Sequence, residues 1–427
     1  MLKKKLAHTI VEFITNTIHN IDFKLKHRVS DNNFERERKL PFSKMMLLLI
    51  KKSVKSLQLV LNELVLKLDI DDTVTASAFS QARRKLSHTA FIELSDGLIS
   101  RYYERDESVK RWKGFRVSGV DGSKIRLPDG PETKEVFGTF KISCQKELDR
   151  EYPSALASVC YDVLNHIAIS AELAPAKAYE VDVAKKHFSH LGSQDLLIFD
   201  RGYASFYMMA CLTQADLNFV IRCPKSFLKE SNEMFKVDGP SSKVVTINVP
   251  KNQRKNIIEE NLLTQLKVRF VRVILATGEI EVLVTSLLDE GKYLTAEFKE
   301  LYWLRWGVET FYGTLKGRLN LDNFTGKSAE AVKQDFYSTI FLSNLETIIT
   351  EEAQESIKEK SQGSMYPKAV NKAVSFNAIK NYAFELFYER GDIGDKLKKL
   401  TRLFLLNPSI TRKERIVPRK KKILENL

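Results

Sequence analysis

The chain has 427 residues, 43% of them hydrophobic and 29% charged, and this length is sufficient for two to four folded domains. Its 68 Lys and Arg residues outnumber its 54 Asp and Glu residues, and the formal net charge of +14 favours polyanionic partners. Four cysteines without C-x-x-C spacing exclude a disulfide scaffold and a zinc site of that type.

Residues 1–110 are predicted to be helical, because their apolar residues recur at helical spacing. Their apolar runs are too short for a signal peptide or a membrane span, so we expect a soluble cytoplasmic protein. Within Asp71–Leu86, Thr75 and Ser77 are alternative candidates for a helix N-cap. The turns that follow it carry Gln81, Arg83, Arg84 and Lys85. Two interpretations stay open: a helix that contacts DNA, or a basic face that only meets water.

Residues 111–225 change to strands and helices in the order βββ-α-β-α-β. The strands are predicted at 115–127, 155–161, 166–173, 196–200 and 218–223, and the helices at 179–191 and 205–215. Asp121 precedes a glycine near a turn or bulge, and Asp200 ends a fully buried strand. Since open α/β sheets bind ligands at strand ends, both aspartates are candidate site residues.

The remaining chain divides into three predicted regions. They are a β-rich insertion at 226–294 with alternating runs at 267–275 and 279–287, a helical region at 295–350, and a helical C-terminal region at 351–427 with a polar linker at 354–367. Residues 396–427 carry eleven Lys or Arg against two Glu. The basic tail Thr411–Lys422 is expected to order only on a partner, because it offers little to bury.

The segment Leu301–Asn320, LYWLRWGVETFYGTLKGRLN, is predicted to be one helix. It places four polar side chains within an arc of about 60°, namely Tyr302, Arg305, Glu309 and Lys316. Its aromatic residues indicate that it is largely buried, and buried charges are costly unless paired or committed to a ligand. The charges are explained either by an i,i+4 ion pair of Arg305 with Glu309, or by a carboxylate that holds a metal ion beside a phosphate.

Three carboxylates are candidate metal ligands: Asp121 in GVDGS, Asp200 in LLIFDRGY, and Glu309. Phosphodiester cleavage can use two divalent metals about 3.5 to 4 Å apart, and such ions prefer carboxylate oxygens. No Cys or His is required for this chemistry. His187 and His190 lie at i,i+3 without a third ligand in sight, so we expect them to be surface or packing residues.

The spacing Tyr302-x2-Arg305-x3-Glu309-x6-Lys316 resembles the Y-R-E-K signature of the insertion-sequence-four family of DDE transposases. The VDGS and DRGY segments resemble the two aspartate motifs of that family, and the similarity extends from Ser77–Leu86 to the NFTG segment at 323–326. The resemblance implies an α/β chain with a ribonuclease-H-like catalytic core and a β-rich insertion, flanked by helical N- and C-terminal regions.

By this resemblance, Asp121, Asp200 and Glu309 would be catalytic and would hold two Mg²⁺ or Mn²⁺ ions. A nick at the transposon end would release a 3′-hydroxyl that attacks target DNA. Arg305 and Lys316 would hold phosphates, Tyr302 would contact the displaced strand, and Arg222 at a strand end would be a further DNA contact.

The implied partners are double-stranded DNA, as terminal inverted repeats and as target, and a second copy of the chain in the end-paired complex. The protein would act at the nucleoid of a bacterial cytoplasm, without a membrane. A hairpin route needs an aromatic platform from the insertion. All three tryptophans lie outside it, so Phe227, Phe235, Phe270 or Tyr293 would have to substitute, and the route stays open.

Three alternatives belong to other functional classes. A catalytically silent DNA-binding protein derived from a transposase would have lost one of the acids, and none is lost. Another ribonuclease-H-like nuclease, such as a junction resolvase, would have no need of the long helical ends. A basic assembly protein would leave the three acids unexplained.

Overall fold

The structure is a computed structural model and describes residues 6–36, 38–53, 55–67, 74–144, 147–236, 238–275, 277–389 and 391–411. The predicted basic tail lies outside the described residues except for Thr411, as do residues 71–73 and 276. None of the helices within these ranges is long and apolar enough to cross a membrane.

The N-terminal region is helical, as predicted. Its described helices are α1 (Leu6–His19), α2 (Ile21–His27), α3 (Phe42–Lys51), α4 (Leu57–Lys67), α5 (Ala76–Arg83) and α6 (Thr89–Tyr103). Thr75 caps α5, because its hydroxyl accepts a hydrogen bond from the Ala78 amide at 3.1 Å. The apolar faces of these helices belong to the same buried cluster as residues of the C-terminal helices.

A mixed sheet forms the centre of the core. The first elements of the core are β1 (Arg116–Arg126), α7 (Pro131–Phe137), β2 (Thr139–Cys144), β3 (Glu147–Asp162), β4 (Ile167–Pro175), α8 (Glu180–Lys185), β5 (Asp195–Phe199), α9 (Phe206–Gln214) and β6 (Asn218–Arg222). The order is β4-β3-β1-β5-β6, in which β3 is antiparallel to β4 and β1, while β5 and β6 run parallel to β1. The fold class, an α/β chain with a ribonuclease-H-like core, is confirmed. The predicted order βββ-α-β-α-β is wrong after its first strand, because α7 and β2 lie between β1 and β3.

The insertion continues the core sheet. It contains α10 (Lys229–Met234), β7 (Ser242–Asn248), α11 (Arg254–Glu259), β8 (Gln265–Ile274) and β9 (Ile280–Thr285). β9 pairs antiparallel with β6, and β8 and β7 follow outward. β8 and β9 match the two predicted alternating runs. β7 was not predicted, because as an edge strand it has a single buried residue, Ile247, and so lacks a strong alternating pattern.

The predicted helix at 301–320 is in fact two helices, α12 (Phe298–Trp303) and α13 (Trp306–Gly317). Between them, the Arg305 and Gly307 amides donate to carbonyls only three residues back, at 3.0 and 2.8 Å. Such bonds tighten the turn and shift the direction of the chain. The expectation of one continuous helix is therefore wrong at this junction.

The aromatic residues of these two helices do not share one environment. Phe311 and Tyr312 are buried, as predicted, but Trp303 is 68% exposed and Trp306 is 42% exposed. The tight turn directs both indoles away from the core. The expected burial of the whole segment is therefore wrong for its tryptophans.

The last elements are α14 (Ala329–Lys360), β10 (Lys368–Ala369), α15 (Lys372–Phe387), α16 (Ile393–Leu406) and β11 (Ser409–Ile410). The predicted linker at 354–367 is wrong in its first half, since α14 continues to Lys360. Asn344 of α14 accepts from the Ala168 amide at 2.8 Å and donates to the Ala168 carbonyl at 2.9 Å. These two bonds attach the long helix to β4, at the end of the core order.

Arg83 of α5 joins the N-terminal region to α14. It is 4% exposed, and its guanidinium donates to the Gln334 amide oxygen, the Thr325 hydroxyl, the Ala331 carbonyl and the Asp335 carboxylate at 2.6 to 2.7 Å. Arg83 is therefore not a DNA contact. The choice between a DNA-contacting helix and a solvated basic face now concerns only Gln81, Arg84 and Lys85. Gln81 and Arg84 are exposed.

We predict that Arg83→Ala lowers the free energy of unfolding by about 3 to 5 kcal/mol, because it leaves the Asp335 carboxylate buried without its partner. Arg84→Ala is the matched control and should change stability by less than about 0.5 kcal/mol. Urea denaturation followed by circular dichroism measures both. Equal losses in the two variants would contradict the assigned role of Arg83.

Candidate functional site

The parallel pairing of β1 with β5 brings the two predicted aspartates together. Gly119 is paired with Ile198, and Asp121 and Asp200 each lie two residues further along their strands. Neighbouring strands are about 4.8 Å apart, so the two carboxylates project from one end of the sheet at the same height. Open sheets of this kind bind ligands at the carboxyl ends of their strands.

The pairing of β5 with β6 adds Arg222 beside Asp200. Phe199 is paired with Ile221, and each of the two charged residues follows directly. Arg222 Nη2 lies 2.9 Å from Asp200 Oδ1, and Arg222 Nη1 lies 2.6 Å from Glu281 Oε1 on β9. The insertion thus supplies a second carboxylate to this arginine. The DNA contact predicted for Arg222 remains a prediction.

Glu309 reaches the site from α13 and is held by Arg305. Arg305 Nη2 lies 2.8 Å from Glu309 Oε1, and the arginine side chain is 4% exposed while the glutamate is 39% exposed. Burial opposes the charge of Arg305, but its bond to Glu309 and the nearby acids raise its pKa above the usual value. The i,i+4 ion pair of Arg305 with Glu309 is therefore present. The charge of Asp200 also acts on Arg305.

The other two residues of the signature contact the strands on either side. The Tyr302 hydroxyl donates to Asp200 Oδ1 at 3.4 Å, and burial raises the pKa of this phenol. Lys316 Nζ donates to the Ser123 hydroxyl at 2.8 Å and to the Lys124 carbonyl at 3.0 Å. The structure therefore brings Tyr302, Arg305 and Glu309 to the aspartates, whereas Lys316 lies further along β1.

Asp121 lies deepest in its surroundings. Its Oδ1 accepts from the Gly122 amide at 2.9 Å. Burial raises its pKa to about 6, with Glu309 and Glu180 adding to the effect and with the Gly122 amide and Arg305 opposing it. The charge of this carboxylate is thus kept at a cost to the stability of the fold.

Two further residues beside the aspartates, Glu180 and Tyr203, were not predicted from the sequence. Glu180 begins α8, and its carboxyl carbon would lie 3.3 Å from a β-carbon added at Gly122, so the glycine gives this acid room beside Asp121. The Tyr203 hydroxyl is buried without a hydrogen-bond partner in the described chain, and burial and the carboxylates of Glu180, Asp121 and Asp200 raise its pKa. Tyr203 belongs to the DRGY segment, which was a signal, whereas no motif marks Glu180.

The described residues contain no group of three or more His, Cys, Asp or Glu side chains arranged to hold a metal ion. Asp200 and Glu309 are instead paired with arginines. His187 is buried, hydrogen-bonds to two serine hydroxyls at 2.9 Å, and has a pKa lowered to about 3 by burial. It is a packing residue, as predicted.

Comparison with known proteins gives a consistent result. The family model described as "Transposase DDE domain" matches residues 112–345, more than half of the chain. "Transposase InsG for insertion sequence element IS4" of Escherichia coli strain K12 is 23% identical over 323 residues, which cover 73% of this chain and 70% of that protein. "Putative transposase InsZ" of the same strain is 23% identical over 172 residues, covering 39% of this chain and 56% of that protein.

One solved structure is also similar, the cryo-EM structure of the piggyBac transposase synaptic complex with hairpin DNA. Its TM-score is 0.44 at 11% identity, over 94% of this chain and 85% of that chain. A TM-score of this size supports no further inference.

We predict that Asp121→Asn stabilises the metal-free protein at neutral pH. The ordinary pKa is 3.8 and the folded value is about 6, so the folded state binds more protons between these values and stability falls as pH rises through this window. Removing the charge should recover on the order of 1 to 3 kcal/mol above pH 6 and almost nothing near pH 4. Unfolding in EDTA at both pH values measures this.

Asp395→Asn, at a side chain that is 68% exposed, is the matched control for the substitution. A loss of stability in Asp121→Asn at neutral pH would show that this carboxylate supports the fold.

Proposed function

Since the chain belongs to the transposase DDE domain family and is a DDE transposase of the insertion-sequence-four type, we propose that it moves a bacterial insertion sequence by cutting and pasting DNA. It would cut at the transposon ends and transfer the released 3′-hydroxyl to target DNA. The observation that supports the proposal is the register that puts Asp121 and Asp200 at one end of the sheet, with Glu309 near enough to act on the charge of Asp121.

The proposed cofactors are two Mg²⁺ or Mn²⁺ ions held by these three acids. Bound metal would supply activation of the attacking oxygen and stabilisation of the leaving oxygen. The donor set fits, because hard divalent ions prefer carboxylate oxygens, and the orphaned Tyr203 hydroxyl marks an unsatisfied polar position among the acids. Asp200 and Glu309 are 35% and 39% exposed, so each can turn from its arginine toward a ligand.

The arginines would then hold the substrate and the acids in place. Arg222 keeps a partner in Glu281 when Asp200 turns away, so it stays fixed beside the reacting phosphate. Arg305 is 4% exposed and fixed by packing, which keeps its charge close to Glu309. Fixed cations in a partly buried site offset the charge that develops on the phosphate oxygens.

The N-terminal region offers a groove for the transposon end. A cavity of about 780 Å³ lies between α5 and the segment before α3. Its charged lining residues are Arg36, Arg38, Lys39, Lys85 and Glu35. The excess of cations suits a DNA backbone, which is recognised chiefly by charge. This groove supports residues 1–110 as the DNA-binding region.

The exposed tryptophans support contact with unpaired bases. Trp303 directly follows Tyr302, which contacts Asp200, and Trp306 stacks against Arg305 at 4.5 Å. Exposed aromatic rings bind unstacked bases well. Of the aromatic residues of the insertion, Phe270 and Tyr293 are buried and cannot serve as a platform. Phe227 and Phe235 are half-buried. A hairpin intermediate would therefore use one of these two rings or the tryptophans of α12 and α13.

A homodimer is part of the proposal, because two transposon ends must be joined in one complex. The silent DNA-binding alternative is disfavoured, since the fold keeps all three acids at the site. Burial raises the pKa of Asp121, so its carboxylate is costly to keep charged. A protein that only binds DNA would not need this carboxylate.

We expect purified protein to nick a duplex that carries the flanking end of its own element, with Mg²⁺ and not with EDTA. Asp200→Asn and Glu309→Gln should abolish nicking and largely retain end binding, because binding depends mainly on contacts of cations with phosphates. Asp395→Asn, far along the chain in α16, should nick like the wild type. End binding without any cutting by the wild type would instead favour the silent DNA-binding protein.

Lys316→Ala should weaken end binding and lower the slope of log affinity against log salt by about one unit, as expected for one lost phosphate contact. Fluorescence anisotropy at several salt concentrations measures the slope. Lys398→Ala, at a lysine that is 81% exposed, is the control. A slope equal to that of the wild type would restrict Lys316 to its contacts with Ser123 and Lys124.

A further inference from the structure

A second basic cavity lies at the C-terminal end of α13. It has a volume of about 310 Å³ and lies between the end of α3, the chain that follows α13, and α15. Its charged lining residues are Lys51, Lys52, Lys55, Arg318, Lys380 and a single carboxylate, Glu63. Several asparagine side chains complete the lining and offer further donors.

Five cations and one carboxylate line this cavity. Glu63 serves both Lys51, at 3.7 Å, and Lys55. Lys52 is 7% exposed and donates to the carbonyls of Asn320 and Leu321, at 3.2 and 3.4 Å. The carboxylates of Asp335 and Asp322 act on its charge from nearby, but burial is the larger effect and lowers the pKa of this lysine.

Lys380 faces the same space from α15. Its ammonium donates to the Lys52 carbonyl at 3.0 Å, and burial together with the charge of Lys52 lowers its pKa to about 8. Arg318 is exposed, and the described chain gives it no carboxylate partner. Two lysines that repel each other, with an unpaired arginine at the entrance, form a site that an anion would stabilise.

The position of the cavity relates it to the catalytic helix. Gly317 lines it, and this residue is eight positions after Glu309 in α13, which is about 12 Å along the helix. A DNA strand carries one phosphate per about 3.4 Å of axis, so this distance spans three or four phosphates. A strand that passes Glu309 along the helix would therefore bring a flanking phosphate to the cavity.

We propose that this cavity binds a backbone phosphate of the DNA end, three or four nucleotides from the cut, through Arg318, Lys380 and Lys52. The site clamps the flank of the strand and fixes its position relative to Glu309. It deepens the proposed function and rests on it, since the ligand is the DNA that the acids would cut.

The test compares Lys380→Gln and Arg318→Gln with the wild type in end binding by fluorescence anisotropy. Lys398→Gln is the control, and Lys380→Arg tests rescue of charge. Each Gln variant should bind about three- to tenfold more weakly, with a salt slope lower by about one unit, while Lys380→Arg binds normally. Melting temperatures near that of the wild type show that the variants are folded.

A shortened duplex locates the contact. Two duplexes are made, each shortened by four nucleotides on one side of the cut. The duplex that lacks the contacted phosphate should bind the wild type and the Gln variants with equal affinity. Unchanged affinity and slope in both folded variants would overturn the proposal. So would a result in which the variants lose only the thermal stabilisation by inorganic phosphate and bind DNA normally, because the cavity would then take a free anion.

Nicking by the wild type, measured in the same buffer, separates the two proposals. If the wild type cuts the end and the Gln variants bind and cut equally well, only the clamp is refuted. If the wild type binds the end and never cuts it, the proposed enzymatic function fails, whatever the variants show.

Discussion

The site depends on one constraint, the parallel register between β1 and β5. Because Gly119 is paired with Ile198, Asp121 and Asp200 leave the sheet at the same height, and no loop has to be ordered to bring them together. A shift of one residue would turn one aspartate to the opposite face of the sheet. The buried strand Asp195–Phe199 resists such a shift, since all five of its side chains are buried. The core of the sheet therefore specifies the site before any ligand is bound.

Glu309 and Glu180 repel the charge of Asp121, and two arginines from different elements balance part of the negative charge of the region. Arg222 comes from β6 and is shared with Glu281 of the insertion, while Arg305 comes from the tight turn before α13. The insertion therefore contributes to the electrostatics of the site as well as to the sheet. Asp121 has no such partner, and its raised pKa shows that its charge is kept at a cost. Raised pKa values of this kind cluster at functional sites, and the position of Asp121 at the end of the sheet beside Asp200 agrees with such a role.

The sequence predicts the part of this structure that local pattern determines. Buried runs and alternation identified β1, β5, β6, β8 and β9. The spacing of the motifs singled out the three acids, whose role stays a prediction. Edge strands such as β7 have weak patterns and were missed. The turn at Arg305 was missed because helical spacing continues across it. Arg83 and Glu180 could not be placed, because their partners are brought near by the topology and by no sequence motif.

We propose that Asp121, Asp200 and Glu309 act as one metal-binding site. Titration of the DNA-free protein with Mn²⁺, followed by the electron paramagnetic resonance signal of the free ion, tests it without reference to cutting. Asp121→Asn, Asp200→Asn and Glu309→Gln should each weaken Mn²⁺ binding while the protein stays folded, and Asp395→Asn should bind as the wild type does. A folded variant at any of the three acids that binds Mn²⁺ with wild-type affinity would contradict the claim for that residue.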